Sequence, residues 1–393
     1  MARILEEDAS GAVVYQITDD PLEKSNIYCE QPYCSADSRV FVYERQNPKS
    51  SSNYNEYVIC EFGTWKSEVV GQGLRAPGMS HTGIFYYRHV QEGKCLELRR
   101  VDLATGEWEV IFEFPEDFQH RGMDTVSPDE RYYAYGVTLS LEPQMFGIEL
   151  LDLKTGTRDL IHTDPDICNP HTQFESTWGK QIMVQHNRGC KVLPDGTRAV
   201  IFGEQGATEF LLDIPSGKVT RLQVGEPYTP SIVGHEAWIA GTNEILLTVR
   251  APNARGLHSP EEWYFAEGDY TPEKGNLLGV KAGAPPRSVS RGYRFNHLGT
   301  SPCGQYFFAD DWQGSGKLIL GSIQTGKNAV VCDARTSILV KKAHPHAYAT
   351  PDMRWMVFTS DLSGQPQIHV ASIPPDLVNG LNGTANGLNG TAN

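Results

Sequence analysis

The stretch Leu151-Asp152-Leu153-Lys154-Thr155-Gly156 decides the fold prediction, because close variants of it recur along the chain. Each variant ends in Thr-Gly or Ser-Gly, and the copies lie at residues 101–106, 212–217 and 322–326. Glycine tolerates the positive φ of a tight turn, so each copy predicts a hairpin between two strands. We expect these hairpins to join the outer strand pair of a repeated β unit.

A second recurring signal is a turn built on Pro, Asp or Gly and followed by aromatic or β-branched residues. Ser127-Pro128-Asp129 precedes Tyr132-Tyr133-Ala134-Tyr135, for example, and Thr350-Pro351-Asp352 precedes Trp355-Met356-Val357-Phe358. We expect these turns to join the inner strand pairs, near residues 35, 82, 128, 178, 242, 302 and 351. The steps of about 50 to 60 residues resemble the period of about 40–50 residues in propeller blades. The spacing predicts an all-β chain folded as a seven-bladed β-propeller.

The two ends of the chain complete this prediction. The N-terminal run 12–17 is β-rich and is placed to add the last strand to the C-terminal blade, which removes an exposed edge. We therefore predict a single propeller domain over residues 1–376. Residues 377–393 repeat a Gly- and Asn-rich motif with little apolar surface, so we expect a flexible tail. Two β-sandwiches are the alternative architecture, although they do not require a regular period.

Composition excludes several classes of partner. Of the 393 residues, 34 are Lys or Arg and 48 are Asp or Glu, giving a net charge of −14. Long-range attraction to nucleic acid or to an anionic membrane is therefore not expected, and an anionic ligand needs a local cationic site. No apolar run has the length of a secretion signal or a membrane span, and the eight cysteines form no C-x-x-C pair. These features predict a cytoplasmic protein with reduced thiols.

Histidines are the most informative polar residues. Seven of the twelve lie close to a predicted inner turn: His81, His120, His171, His235, His297, His344 and His346. The residues that open the inner strands of a propeller surround its central channel, so side chains far apart in sequence converge there. This placement predicts one shared site.

The segment His344-Pro345-His346 is the sharpest candidate for metal binding. Residues two apart on a strand point to the same face, so both imidazoles can reach one ion. With His297 from the neighbouring blade they would form a set of three ligands suited to manganese, iron, nickel or zinc. The alternative is that all three are solvated or hydrogen-bonded channel histidines.

His235 opens the fifth blade in the segment Gly234-His235-Glu236-Ala237-Trp238 and is not part of the chelating pair. A free imidazole that titrates near neutrality is the natural candidate for a general base. An ordinary hydrogen-bonded histidine at a blade entrance is the alternative.

Two other motifs do not support a function. Residues 321–328 nearly spell a phosphate-binding loop, but Asn328 replaces the required Ser or Thr and the segment matches the other hairpins. No G-x-S-x-G elbow occurs, which disfavours a propeller-bearing serine peptidase.

At these residues the chain resembles the oligogalacturonate lyases, seven-bladed propeller enzymes of pectin breakdown. Three segments carry the resemblance: Gly234–Trp238, Asn296-His297-Leu298 with Gly304 and Asp310 after it, and His344–Asp352 running into residues 357–361. The resemblance implies β-elimination from a uronate-containing oligosaccharide. It also implies a manganese-type ion held by His297, His344, His346 and a glutamine, with His235 as the base.

Two positions depart from the family pattern. Lys341 stands where the family has its glutamine ligand, and a protonated ammonium cannot ligate a metal. Thr208 stands where the family's catalytic arginine is expected, and Arg188, Arg198 or Arg250 could supply the guanidinium instead. We assign the catalytic role to Arg188.

The sequence therefore predicts a metal-dependent lyase that acts on short acidic oligosaccharides. Lys341, Arg250 and His171 are the predicted substrate-binding residues. A lyase specific for a glucuronate-linked sugar and a non-catalytic propeller that binds a partner are the alternatives. A hydrolase on the same fold would need a pair of carboxylates, for which Glu236, Asp310 and Asp311 are the candidates.

Overall fold

The computed structural model describes residues 3–49, 54–75, 77–90, 96–115, 118–250, 275–311, 316–337 and 343–382. Within these ranges the chain forms strands β1 to β31 and one short helix, α1, which confirms the predicted all-β class. All strand pairings that join these elements are antiparallel. Short turns join most consecutive strands, so the order of the strands in each sheet follows the order in the chain.

The strands group into consecutive units, which we number in chain order. Unit 1 contains β3 (Lys24–Ser25), β4 (Val40–Gln46), β5 (Asn55–Glu61) and β6 (Ser67–Gly73). Unit 2 contains β7 (Gly78–Met79), β8 (Ile84–His89), β9 (Glu97–Asp102) and β10 (Trp108–Glu113). Unit 3 contains β11 (His120–Val126), β12 (Tyr132–Leu141), β13 (Gln144–Asp152) and β14 (Thr157–Asp164). Unit 4 contains β15 (Gln173–Phe174), β16 (Gln181–His186), β19 (Thr208–Asp213) and β20 (Val219–Arg221).

The remaining units have the same plan. Unit 5 contains β21 (Ile232–Trp238), β22 (Ile245–Val249), β23 (Leu277–Val280) and β24 (Arg287–Ser290). Unit 6 contains β25 (Leu298–Thr300), β26 (Tyr306–Asp310), β27 (Lys317–Ser322) and β28 (Asn328–Asp333). Unit 7 contains β29 (Tyr348–Ala349), β30 (Trp355–Ser360) and β31 (Gln367–Ser372), joined by β2 (Val13–Gln16) and β1 (Arg3–Glu7). A separate hairpin of β17 (Lys191–Val192) and β18 (Arg198–Val200) is inserted in unit 4.

The turns lie where the sequence predicts them. Each of the seven predicted inner turns joins the first two strands of a unit, and each Thr-Gly or Ser-Gly hairpin joins the third and fourth strands. In the hairpin at Asp152, the carboxylate Oδ1 accepts a hydrogen bond from the Lys154 amide at 2.9 Å, and Gly156 has a φ of 71°. The glycine-rich segment 321–328 is the same kind of hairpin between β27 and β28, and not a phosphate-binding loop.

The N-terminal strand pairs with the C-terminal unit, as predicted. In the pairing of β2 with β31, Val14 lies opposite Ala371 and Gln16 lies opposite His369. The N-terminal strands therefore complete the five-stranded sheet of unit 7, in which β2 covers the edge of β31.

Inner turns also touch from unit to unit. The Gly241 amide in unit 5 donates to Thr177 Oγ1 in unit 4 at 2.7 Å, and a Cβ on Gly304 would lie 2.2 Å from the Ala240 carbonyl. The Asp352 amide in unit 7 donates to Ser38 Oγ in unit 1 at 3.1 Å. These contacts bring the last inner turn back to the first.

The apolar core is divided among the spaces between neighbouring units. One cluster joins units 3 and 4 through Phe146 and Ile182, and another joins units 4 and 5 through Leu211 and Leu247. The largest cluster includes residues of units 1, 2, 6 and 7. Burial of each such side chain contributes about 1.5–3 kcal/mol, so neighbouring sheets stabilise one another face to face. The first strands of the units are thereby held close together.

The start of the predicted tail is ordered, which corrects the prediction for residues 377–382. Helix α1 (Pro375–Asn382) places Leu381 in a buried position, and the Leu381 carbonyl accepts a hydrogen bond from Thr325 Oγ1 at 3.0 Å. Leu377 and Leu381 are four residues apart and so share one face of the helix. That short apolar face is sufficient to dock the helix, while residues 383–393 lie outside the described residues.

Two further expectations concern solubility and thiols. No helix among the described residues is long and apolar enough to cross a membrane. Of the cysteines in the described ranges, Cys303 is exposed and the other six are buried as free thiols.

Candidate active site

Four imidazoles from three units meet at the inner ends of their sheets. His235 lies in β21, His297 immediately precedes β25, and His344 and His346 precede β29. The ring centroid of His297 lies 5.0 Å from that of His344 and 4.6 Å from that of His346. His235 lies 4.4 Å from His297 by the same measure. Residues more than a hundred positions apart therefore form one cluster, the histidine cluster.

Three members of the histidine cluster are arranged to share a ligand. One nitrogen of each of His297, His344 and His346 lies within 4.8 Å of the others, so the three can hold one metal ion. His235 is not part of this set, although its ring lies next to it. Imidazole nitrogens suit manganese, iron, nickel, copper or zinc.

The backbone around His346 differs from the prediction. The His344-Pro345-His346 segment is not part of a strand, because β29 begins only at Tyr348, and His346 adopts a φ of 42°. The Pro345 carbonyl accepts from the Thr359 amide at 3.0 Å, and the His346 carbonyl accepts from Asn26 Nδ2 at 2.5 Å. The two imidazoles converge because of this left-handed residue and its bonds, and not because of strand alternation.

Asp310 fixes the orientation of His297. Its Oδ2 lies 2.7 Å from His297 Nδ1, and the carboxylate is fully buried. A carboxylate on Nδ1 holds the proton there and leaves Nε2 to face the other two imidazoles. Carboxylate–histidine pairs of this kind are typical of metal centres.

Burial keeps the histidine cluster uncharged. Desolvation lowers the pKa of His297 and His346 well below the ordinary value, and repulsion from neighbouring imidazoles lowers them further. The pKa of His344 is lowered by burial as well. Neutral imidazole is the form that binds metals, so these shifts favour ligation near neutral pH.

His235 is the fourth member of the histidine cluster and has a different environment. Desolvation, followed by repulsion from His297, His171 and His344, lowers its pKa well below the ordinary value, while a hydrogen bond with Asn296 opposes the shift. Its Nδ1 is buried and has no hydrogen-bond partner within the described ranges. His235 is therefore a neutral imidazole with an unused nitrogen beside the three possible metal ligands.

Tyr28 of unit 1 lies beside the histidine cluster and is not among the predicted site residues. Its ring centroid is 4.6 Å from that of His346, 6.1 Å from His235 and 5.7 Å from His171. Tyr28 precedes the first inner turn at about the distance at which the histidines precede theirs. The repeat period therefore contained this signal, although a search for histidines alone does not find it.

His171 of unit 4 belongs to a second group that contains two carboxylates. Its Nδ1 lies 3.4 Å from Glu30 Oε1 and 3.9 Å from Glu236 Oε1. We call Glu30, His171 and Glu236 the carboxylate cluster. Burial, followed by repulsion from Glu30, raises the pKa of Glu236 to about 8, and burial also raises the pKa of Glu30. Glu30 carries no sequence signal beyond its position in unit 1.

The remaining predicted histidines do not join either cluster, so the prediction of one shared site is wrong for them. His120 Nε2 lies 2.8 Å from Asp124 Oδ1, and Asp124 Oδ2 accepts from Arg88 Nε at 2.9 Å in a fully buried ion pair. His81 is exposed and lines a cavity at the inner-turn end of the units. Both lie near inner turns, but their side chains have structural partners or face solvent.

The predicted arginines lie around the loops of units 4 and 5. Arg188 donates to the carbonyls of Gln205 and Gly206, and it packs with Thr208 against Gly225. A Cβ on Gly225 would lie 2.6 Å from Thr208 Cγ2 and 3.0 Å from Arg188 Nη2. Arg188 therefore lies beside the position at which the family arginine is expected.

Two further cations complete this region. Arg250 is buried above the ring of Phe202 at 4.1 Å, and burial lowers its pKa to about 10. Its Nη2 has no hydrogen-bond partner among the described residues. Arg198 Nη1 donates to Asn169 Oδ1 at 2.8 Å. Lys341, the predicted substrate-binding lysine, lies outside the described residues.

The three acids considered for hydrolysis have different partners in the structure. Asp310 bonds to His297, Glu236 faces His171, and Asp311 Oδ1 accepts from the Arg294 amide at 3.1 Å. Each of these acids is therefore accounted for by a contact of its own, whereas a glycosidase needs two carboxylates that act as a pair.

Comparison with solved structures identifies the fold. The oligogalacturonate lyase of Vibrio parahaemolyticus is 16% identical over 96% of this chain and 98% of its own, with a TM-score of 0.69. An oligogalacturonate lyase in complex with manganese is 17% identical over 96% and 97%, with a TM-score of 0.70. The β-propeller domain of the Trilobed protease from Pyrococcus furiosus is 12% identical over 90% and 94%, with a TM-score of 0.50.

No protein-family model matches the sequence, and no curated protein matches it significantly. Identities of this size relate the chain to propeller-like proteins by fold alone. The activity must therefore be argued from the side chains.

Proposed function

We propose that this protein is a metal-dependent lyase that cleaves uronate-containing oligosaccharides by β-elimination. One observation carries the proposal: a neutral imidazole, His235, lies 4.4 Å by ring centroid from a histidine that belongs to a set of three possible metal ligands. β-Elimination begins with removal of the proton α to the carboxylate. This step needs a cation near the carboxylate and a base near the α carbon, and the arrangement offers a place for the cation as well as the base.

The architecture that we propose for this activity is a closed ring of seven blades formed by units 1 to 7. The pairing of β2 with β31 and the contact of Asp352 with Ser38 support closure between units 7 and 1. In this arrangement residues 1–376 form one domain, and the histidine cluster lies on the ring axis, where short chains can enter.

The residues of the histidine cluster fit a metal ion of the manganese type. His297, His344 and His346 would hold it, with Asp310 orienting His297. When bound, such an ion acts as a Lewis acid that stabilises negative charge on the substrate carboxylate. Three protein ligands leave coordination positions for substrate, as catalytic metal sites require.

His235 would accept the proton. The hydrogen on the carbon next to a uronate carboxylate is weakly acidic, and its removal leads to loss of the glycosidic oxygen and formation of a C4–C5 double bond. His235 can act only when it is neutral, and burial keeps it so. An anionic substrate nearby would raise the basicity of this ring in the complex, because a negative charge favours the imidazolium.

Substrate handling is assigned to two arginines, a lysine and a histidine. Arg188 is the proposed catalytic arginine, because it lies next to Thr208 at the expected position of the guanidinium. Arg250, Lys341 and His171 are the proposed binding residues. Because the arginine differs in origin from that of the family, the substrate can be a glucuronate-linked sugar as well as an oligogalacturonate.

The test is an elimination assay. Metal-free protein is incubated with oligogalacturonates and with glucuronate-containing oligomers, with and without Mn²⁺, and the absorbance of the unsaturated product is followed. We expect a manganese-dependent signal that His81→Ala, a variant of an exposed histidine outside both clusters, retains. Absence of the double bond with every uronate would contradict the proposal.

A non-catalytic propeller that binds a partner is the second candidate. The observation that favours it is Thr208, which stands where the family has its catalytic arginine. Arg188 is already bonded to two loop carbonyls, so it must change partners to reach a substrate. A histidine cluster that binds no transition metal would support this second candidate.

A further inference from the structure

Among the described residues, the carboxylate cluster has no cation that balances its charge. Glu236 is fully buried, and within the same ranges neither of its carboxylate oxygens has a hydrogen-bond partner. In the described part of the chain, the ion pairs of Glu30 and Glu236 are with His171 alone. Two ionised carboxylates removed from water without a cation cost several kcal/mol each, so a bound cation would stabilise the ionised form of the pair.

Glu209 adds to this imbalance. Glu209 is 2% exposed, neither of its carboxylate oxygens has a hydrogen-bond partner in the part of the chain that the structure describes, and the carboxylate is repelled by both Glu236 and Glu30. A third buried acid next to an already acidic pair makes the region strongly attractive to a cation.

The carboxylate cluster also has the geometry of a ligand set. One oxygen of Glu30, one oxygen of Glu236 and one nitrogen of His171 lie within 4.8 Å of one another. Gln173 Nε2 holds the other Glu30 oxygen at 2.5 Å and donates to the Glu236 carbonyl at 2.7 Å, which fixes the two acids relative to each other. Supporting bonds of this kind are expected around metal ligands.

The backbone at His171 repeats the backbone at His346. Both histidines follow a proline and have a left-handed φ, 45° at His171 and 42° at His346. The Pro170 carbonyl accepts from the Gln185 amide at 2.7 Å, as the Pro345 carbonyl accepts from Thr359. A strained non-glycine residue persists only where surrounding bonds enforce it, and here the same strain presents an imidazole to a cluster in two units.

We propose that Glu30, His171 and Glu236 form a second cation site, separate from the histidine cluster, that binds a divalent transition ion. Two carboxylates and one imidazole match the preferences of Mn²⁺, Fe²⁺ or Zn²⁺ better than those of Mg²⁺ or Ca²⁺, which favour oxygen alone. The ring of Tyr28 contacts both His171 and His346 and lies between the two sites. The second site shares His171 with the proposed substrate-binding residues, but its ligands include neither the proposed base nor the three histidines of the first site.

A cavity adjoins the carboxylate cluster at the inner-turn end. Glu30 and Gln173 line this cavity of about 40 Å³, whose other walls include His81, Ser176 and Pro302. Such a space is large enough to hold water beside Glu30. In the folded protein the bound cation would also offset the negative charge of the buried acids near the proposed substrate site.

The test counts Mn²⁺ ions bound to the full chain after removal of metal with EDTA. Free Mn²⁺ is measured by electron paramagnetic resonance during titration. We expect two ions per chain in the wild type and one in the double variant His344→Ala/His346→Ala. Adding Glu236→Gln to that double variant should weaken binding of the remaining ion at least about 100-fold. The substitution removes a ligand itself and not only a residue that supports a ligand.

Glu209→Gln in the same double variant is the matched control. It removes an equally buried charge that is not among the three ligands, so we expect no more than about a tenfold loss of affinity. If Glu236→Gln does not give a cooperative unfolding transition, His171→Gln replaces it and is interpreted in the same way.

Three outcomes would overturn the second site. The wild type could bind one ion that the double histidine variant loses, or Glu209→Gln could weaken binding as much as Glu236→Gln. Full retention of the ion in both Glu236→Gln and His171→Gln would also contradict it. Two ions without elimination activity would instead refute the proposed reaction and leave the second site standing.

Discussion

Two Pro-His segments, one in unit 7 and one in unit 4, use the same backbone for different purposes. His346 and His171 both have left-handed φ values, and both preceding prolines accept a bond from the second strand of their unit. Around His346 the neighbours are imidazoles, whereas around His171 they are carboxylates. A repeated fold can therefore present one residue type in equivalent positions, and the neighbours from adjacent units decide its chemistry.

The electrostatic consequences of the two environments have opposite signs. Burial and mutual repulsion lower the pKa values of the histidine cluster, while burial and repulsion raise those of the acids. A metal ion relieves both situations, because it requires neutral imidazole and stabilises ionised carboxylate. Substitutions in the unit 7 segment and in the unit 4 segment should therefore have different effects on metal binding, catalysis and stability.

The largest expected effect comes from the histidine cluster itself. His344→Ala removes one of the three ligands that bind the proposed catalytic ion, so we expect elimination activity to fall at least about 100-fold at low micromolar Mn²⁺. Kinetic assays with a Mn²⁺ series measure this. His171→Gln, the change in the other segment, removes a proposed substrate-binding residue but no ligand of the catalytic ion, so it should reduce activity far less. Equal losses would show that the two segments do not differ in function.

His235 sharpens the comparison inside the histidine cluster. His235→Gln should lower kcat about 10²- to 10⁴-fold, the usual contribution of a general base, while the three ligands still hold their ion. Parallel measurement of kcat and of Mn²⁺ affinity checks both parts. Loss of the ion together with activity would make His235 a ligand instead of a base.

Asp310 tests the support of the histidine cluster. Asp310→Asn should weaken Mn²⁺ binding about 10- to 100-fold, because His297 loses the carboxylate that fixes its proton and orientation. Isothermal titration with Mn²⁺ gives the affinity. The neighbouring Asp311→Asn is the control and should leave this affinity unchanged.

The smallest effect concerns pH and stability in the metal-free protein. The pKa of Glu236 is raised to about 8, so the stability linked to this acid is present below the ordinary value of 4.5 and is lost as pH rises toward 8. Glu236→Gln should remove this loss, reducing the slope of unfolding free energy by up to about 1.4 kcal/mol per pH unit. Urea unfolding at pH 5, 6.5 and 8 measures the slope.

Imidazoles should respond in the opposite direction. The pKa of His120 is lowered to about 4, mainly by burial, so the stability linked to it is present above 6.5 and falls as pH decreases toward 4. The wild type should therefore lose stability at both ends of the range. An alkaline slope that Glu236→Gln leaves unchanged would contradict the assigned environment of the acids.

The sequence predicted the turns well because their signals are local. Gly156 and its equivalents need a positive φ, and that requirement is visible residue by residue. The pairing of β2 with β31 could also be predicted, since an unpaired edge strand at one end requires a partner at the other.

The site could be predicted only in part, because convergence depends on neighbouring units. His235, His297, His344 and His346 were found from their spacing before the inner turns. Tyr28 and Glu30 were missed. Tyr28 shares the position of the histidines before an inner turn but not their residue type, and Glu30 has no signal until the fold brings unit 1 beside units 4 and 5. The environment of His171 depends on the same long-range contacts.

The most direct measurement is anomalous diffraction at the manganese edge from crystals of the protein grown with Mn²⁺. We predict a peak within bonding distance of His297, His344 and His346, with His235 adjacent but not bonded to the ion. A peak ligated by His235, or no peak between these imidazoles, would contradict the assignment of three ligands and one base.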